Sequence, residues 1–63
     1  METIYEKLAR LRVKAGLSIP KAASLIGVSE TTIKKWESGE CMPKNSRLAR
    51  VCQVYHVTEK ELR

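Results

Sequence analysis

Cys52 and His56 stand four residues apart, a spacing that puts both on one helical face, and Cys41 precedes Cys52 with ten residues between. Thiolate and imidazole are the ligands of structural zinc, so these three are the first candidates for chemistry in the chain. Such a site takes four ligands at tight spacings, and neither a CxxC pair nor a fourth candidate is present. The expectation is two reduced thiols, with Cys52 in the core, His56 in a turn, and neither metal nor disulfide. Acid–base chemistry fares no better. Asp is absent and every acidic residue is a Glu. There is no nucleophile–base pair and no Gly-rich phosphate cradle. No catalytic residue and no cofactor are expected, and the chain is not read as an enzyme.

What remains is charge. Twelve Lys and Arg face seven Glu in 63 residues, a net charge of +5. On so small a body a basic surface points to nucleic acid first and to anionic membrane second. The excess is unevenly spread: residues 1–28 carry +3, residues 29–40 carry −1 and residues 41–63 carry +3. At 43% hydrophobic residues the chain can build a core. It has no apolar run of roughly 18 residues and no secretory signal. A single domain over residues 1–63, in the cytoplasm, is the expectation.

The elements that must position these charges read as short helices, with no strand. Thr3-x-x-Glu6 is a capping box, and Ile4, Leu8 and Leu11 fall on one face of a first helix near residues 3–14. Gly16 supplies its left-handed stop. Ser18 caps a second helix with Pro20 in its first turn, where the missing N–H costs nothing. Ala22, Ala23, Leu25 and Ile26 make its expected buried side, and Gly27 ends it. Ser29 opens a third helix, residues 30–38, closed by Gly39. At 100° per residue Ile33, Trp36 and Glu37 lie on its inner side, while Thr31, Lys34, Lys35 and Ser38 lie outside with Glu30 at the edge. Pro43 turns a loop. A fourth helix from Asn45 or Ser46 to Tyr55 buries Leu48, Val51, Cys52 and Tyr55, and Thr58-x-x-Glu61 is a second capping box that starts a fifth.

Two short helices joined through Gly27 and Val28 have the spacing of a helix-turn-helix, whose second helix can enter a major groove about 12 Å wide. Ala22 and Ala23 allow the close approach this needs, and Ile33 and Trp36 anchor the second helix from below. The run from Leu17 to Pro43 resembles the Cro/CI-type (XRE-like) helix-turn-helix family. The resemblance covers about residues 4–62 and rests on LR-x-x-x-GLS from Leu11, A-x-x-x-GVS from Ala23 and T-I-x-x-WE-x-G from Thr32, then Pro43 and Val57-Thr58…Leu62.

That resemblance implies an all-α, five-helix, lambda-repressor-like DNA-binding domain, with the helix-turn-helix at residues 18–38 and recognition helix 30–38. By position Glu30, Thr31 and Lys35 correspond to residues that face base edges, with Lys34 nearby, and Thr32 to one that touches phosphate. Lysine suits guanine, Glu can accept from cytosine and a Thr methyl can pack on thymine. Lys35 could instead hold phosphate, and Glu30 could simply be a first-turn carboxylate favoured by the helix dipole. Where relatives place a phosphate-binding Gln, this chain has Ile19 followed by Pro20. The Ser18 hydroxyl, Lys21 or the helix N-terminus could substitute. Ser38, Lys44 and Asn45 are further phosphate candidates, with plain solvation as the alternative for Lys44 and Asn45. Arg12 and Glu37 match a pair that joins the first and third helices in relatives.

The reading that follows is a repressor-like transcription regulator of phage or mobile-element type, binding double-stranded DNA. A homodimer on a pseudo-palindromic operator is expected, because one such domain buries only roughly 600–1,000 Å². The stub of the fifth helix around Leu62 is the candidate seam. The alternative in the same fold is an antitoxin or small regulatory partner whose main task is protein binding. A membrane-surface module is disfavoured, since the outer face of residues 30–38 offers Thr and Ser in place of apolar bulk.

Overall fold

Thr3 opens the first helix with both halves of its capping box closed. The Glu6 amide donates to the Thr3 hydroxyl at 3.2 Å, and the Thr3 amide donates to the Glu6 carboxylate at 3.0 Å. The Thr3 amide, and the Thr3 hydroxyl donating to the same oxygen at 2.8 Å, favour the ionised carboxyl, so the Glu6 pKa sits below its ordinary value. The computed structural model describes residues 1–62 as five helices in succession: α1 Ile4–Lys14, α2 Ile19–Ile26, α3 Glu30–Ser38, α4 Asn45–Tyr55 and α5 Glu59–Leu62. No strand occurs among the described residues. Ser18 and Ser29 cap α2 and α3 through their hydroxyls, each accepting from the amide three residues on. Lys44, at the N-cap of α4, gives no side-chain bond.

The five helices share one core. Leu8 and Leu11 come from α1, Ile33 and Trp36 from α3, and Leu48, Val51, Cys52 and Tyr55 from α4. Those residues recur at helical spacing, so one stripe of each helix turns inward while charge stays outside. The contribution of α2 is narrower than its sequence suggests. Ala22, Ala23 and Ile26 are buried, but Leu25 is 39% exposed. At 100° per residue the three buried positions span one arc of about 100°, and Leu25 falls about 60° beyond its edge. An apolar residue type alone did not place it inside.

One further expectation changes at the C-terminal side, while His56 falls in a turn as its sequence implies. Leu62 was the candidate seam for a second copy, yet it is 0% exposed within its own chain. The four-residue α5 lies against α1 and α4 and inserts Leu62 there, so its side chain is not available to a partner. His56 ends α4 in the left-handed region, at φ 58, a conformation that usually falls to Gly or Asn.

Gly39 closes α3 with φ 83, and its backbone lies against the ring of Tyr5 from α1. A Cβ there would stand 2.9 Å from Tyr5 Cε1, whereas one at Gly27, φ 90, would meet nothing within 4 Å. Gly27→Ala should therefore cost only the left-handed backbone penalty, about 1 kcal/mol. Gly39→Ala adds a steric clash and should cost about 2 kcal/mol or more. Thermal melts of the two variants decide this. Equal losses would mean that Tyr5 does not confine Gly39.

Candidate nucleic-acid interface

The third helix presents the two sides its sequence implies. Ile33 is 0% and Trp36 4% exposed, so Trp36 is a core residue. Glu30, Thr31, Lys34 and Lys35 are exposed on the opposite side, and Thr32 is half-buried beside them. Thr32 is held by the cap: its amide donates to the Ser29 hydroxyl at 3.1 Å, and the two hydroxyls lie 2.9 Å apart. Ser38, at the other end of α3, is exposed. Its hydroxyl donates to the Lys35 carbonyl and accepts from the Glu40 amide, so it also serves the helix terminus.

The orientation of α3 is set from α1. Arg12 Nε donates to Glu37 Oε2 at 2.7 Å and Nη2 to Oε1 at 3.2 Å, a two-pronged pair across 25 positions of sequence. The remaining amino group, Nη1, donates to the Leu17 carbonyl at 2.8 Å, just before α2. One guanidinium thus ties α1, the approach to α2 and the last turn of α3. The side chains are only 14% and 12% exposed, which removes most of the water that weakens surface pairs. The bond to Glu37 holds the Arg12 pKa above its ordinary value. Tyr55 sits beside this pair, and burial, with the Glu37 charge adding, raises its phenol from 10.0 to about 12.

Candidate phosphate contacts lie on both flanks of α3. Ser18 and Lys21 occupy the exposed first turn of α2, where the Lys21 amide donates to the Ser18 hydroxyl at 3.2 Å. Lys44 and Asn45 are exposed at the start of α4. Between α3 and α4 runs an open groove of about 580 Å³, with Thr32 and Trp36 on one wall, Lys44, Ser46 and Arg47 on the other and Met42 beside them. No carboxylate lines it. The sequence reading missed Arg47. Its signal was present, since it stands three residues after Lys44, one turn along the same helix edge. Tyr5, expected at the core or its rim, is half-buried and seats the end of α3 through Gly39.

Away from this face little chemistry is assembled. Cys41 is exposed and Cys52 buried, and neither is in a disulfide. Among the described residues no three His, Cys, Asp or Glu side chains converge to hold a metal, and no helix is long and apolar enough to cross a membrane.

Residues 6–63 match a family described as a helix-turn-helix domain. The chain belongs to that helix-turn-helix family. Three similar proteins fill in its neighbourhood. The chain is 39% identical over 57 residues to the HTH-type transcriptional activator BcrR of Enterococcus faecalis, covering 90% of this chain and 28% of that protein. It is 34% identical over 59 residues to the cryptic phage CTXphi transcriptional repressor RstR of Vibrio cholerae, covering 94% of this chain and 53% of the repressor. It is also 36% identical over 62 residues to a glutamine–fructose-6-phosphate aminotransferase of Methanocaldococcus jannaschii, 97% of this chain but 6% of that protein. The chain therefore spans about half or less of the length of each relative. No solved structure matches it. Helix-turn-helix membership beside transcriptional regulators agrees with the Cro/CI-type resemblance carried by Leu11–Gly39.

Two variants probe how this helix-turn-helix is held. Arg12→Ala leaves the Glu37 carboxylate without its partner in a mostly dry site, which should cost roughly 3 kcal/mol; a melting temperature unchanged from wild type would mean the pair is only decorative. For Tyr55 the sign follows from its raised pKa. Its stabilising contribution is complete below pH 10.0, where the phenol is neutral folded or unfolded, and is lost as pH rises toward about 12. Urea midpoints at about pH 9 and about pH 11 should fall further for wild type than for Tyr55→Phe. Equal falls would show that the phenol is not protected in the fold.

Proposed function

We propose that this chain is a sequence-specific double-stranded DNA-binding domain of a transcription regulator, placing α3 in the major groove. The observation that carries this reading is the pairing of an exposed face, Glu30, Thr31, Lys34 and Lys35, with a helix whose orientation is locked by the Arg12–Glu37 pair. A groove about 12 Å wide admits one such helix. On this reading Lys35 and Lys34 address guanine edges, Glu30 accepts from cytosine and Thr31 packs on thymine methyls. Ser18 and Lys21 hold phosphates on one flank, and Thr32, Ser38, Lys44 and Asn45, with Arg47 added, hold them on the other.

Charge supports the same division of labour. The α3 segment is close to neutral while the segments on either side each carry +3. Cations outside the groove grip the backbone without sequence preference, and the neutral helix between them discriminates bases. The domain is small for tight binding alone, so a homodimer on a pseudo-palindrome is part of the proposal. Since Leu62 is occupied in its own core, the contact between copies must use other residues. Repression by occupying an operator is the proposed mode, and the 53% coverage of a named phage repressor supports a phage or mobile-element setting in the cytoplasm. The aminotransferase match carries no enzyme reading, because it spans 6% of that protein.

Selection from a random duplex pool at two salt concentrations tests the proposal. A recovered palindrome is expected. Binding that enriches nothing and falls steeply with salt would leave only non-specific phosphate attraction. Within a recovered site, Lys35→Ala should cost about 1–3 kcal/mol at one base pair and relax preference there. Lys44→Ala should weaken all duplexes alike and lower the salt slope by about one.

A further inference from the structure

Arg50 on α4 reaches across 25 positions of sequence to the last turn of α2. Its Nε donates to the Leu25 carbonyl at 3.2 Å, and Nη1 donates to the Gln53 side-chain oxygen at 3.3 Å, which steadies the guanidinium. The C-terminus of a helix carries unsatisfied carbonyls and partial negative charge. In α2 the last turn holds no basic residue of its own. The Ala23 carbonyl accepts from the Gly27 and Val28 amides, and the Leu25 carbonyl is served from another helix. At the opposite end of α2, Arg12 Nη1 binds the Leu17 carbonyl.

The surface between α2 and its neighbours explains why such bonds matter. Ala22 and Ala23 are its buried contacts, together with Ile26. Ile26 is the one long side chain of the three, so the interlock rests on a single residue, while the alanine methyls allow close approach and add little resistance to sliding or rotation. Directional bonds at the two ends supply what the packing lacks.

We propose that Arg50 is a positioning residue for DNA binding: by holding the Leu25 carbonyl it fixes α2 against α4 and keeps Ser18 and Lys21 aligned with the phosphate backbone. This rests on the DNA-binding reading above, but its first link, from Arg50 to the placement of α2, belongs to the free protein. On this proposal Arg50 acts through α2 and not by touching phosphate itself. Arg50→Met removes the donors and keeps the length of the side chain, whereas Arg50→Lys keeps a cation that can still reach a helix carbonyl.

Two measurements on both variants test this. In the free protein, amide exchange in the last turn of α2 and through Gly27 and Val28 should quicken in Arg50→Met and recover in Arg50→Lys, with α1 and α3 unchanged. Unaltered exchange overturns the anchoring link whether or not DNA is bound. With the selected duplex, well below the melting temperature, Arg50→Met should lose roughly threefold to tenfold in affinity, the scale of one hydrogen bond. Its salt slope should stay at the wild-type value, and Arg50→Lys should regain most of the affinity. A slope lower by about one would make Arg50 a direct phosphate contact and overturn the positioning role. A lower melting temperature with unchanged affinity would overturn it too, leaving Arg50 a purely structural bond. A wild-type protein that binds no duplex would sink the functional reading and with it the DNA link, while the exchange result still judges the anchor.

Discussion

The Arg12 guanidinium uses all three of its nitrogens to join parts of the chain that nothing covalent holds near one another. Two bind Glu37 in the last turn of α3 and the third binds the carbonyl that leads into α2. Hydrophobic burial of Ile33 and Trp36 keeps α3 on the core, but apolar contact is indifferent to modest rotation of the helix about its axis. A planar fork against a carboxylate is not indifferent, because both hydrogen bonds survive only over a narrow range of angles. The outward direction of Glu30, Thr31, Lys34 and Lys35 is therefore set from inside, by the one residue of α3 that is both charged and turned inward. That charge is largely shielded from water, with the Arg12 and Glu37 side chains only 14% and 12% exposed.

The same economy governs the helix-turn-helix connection. Between Ile26 and Glu30 stand only Gly27, Val28 and Ser29. Gly27 turns left-handed, Ser29 caps the next helix through its hydroxyl, and Val28 packs against the core. With so short a link, the placement of α2 bounds where α3 can begin. That is why bonds from α1 and α4, remote from the exposed reading face, belong to the physics of that face.

Helix boundaries were legible because they are written in local chemistry. Thr3, Ser18, Ser29, Gly27 and Gly39 each act through their immediate neighbours, so spacing alone placed α1, α2 and α3 within a residue or so. The inward position of Glu37 was visible from periodicity, while its partner Arg12 came from resemblance. What sequence could not show were contacts that depend on how helices are stacked. Leu25 looks like core by type, and only its angle relative to Ala22 and Ala23 puts it outside. Leu62 looks like a loose end near the edge of a short helix, and only the gap between α1 and α4 explains why it is buried. Tyr5 and Arg50 lie on helices other than α3, and no local pattern marks which neighbour they reach.

Leu62 also ties the shortest helix to the two longest. It is 0% exposed, and α5 carries it against both α1 and α4. Undoing that single turn would wet apolar surface on both longer helices at once, so α5 cannot fray as an independent tail would.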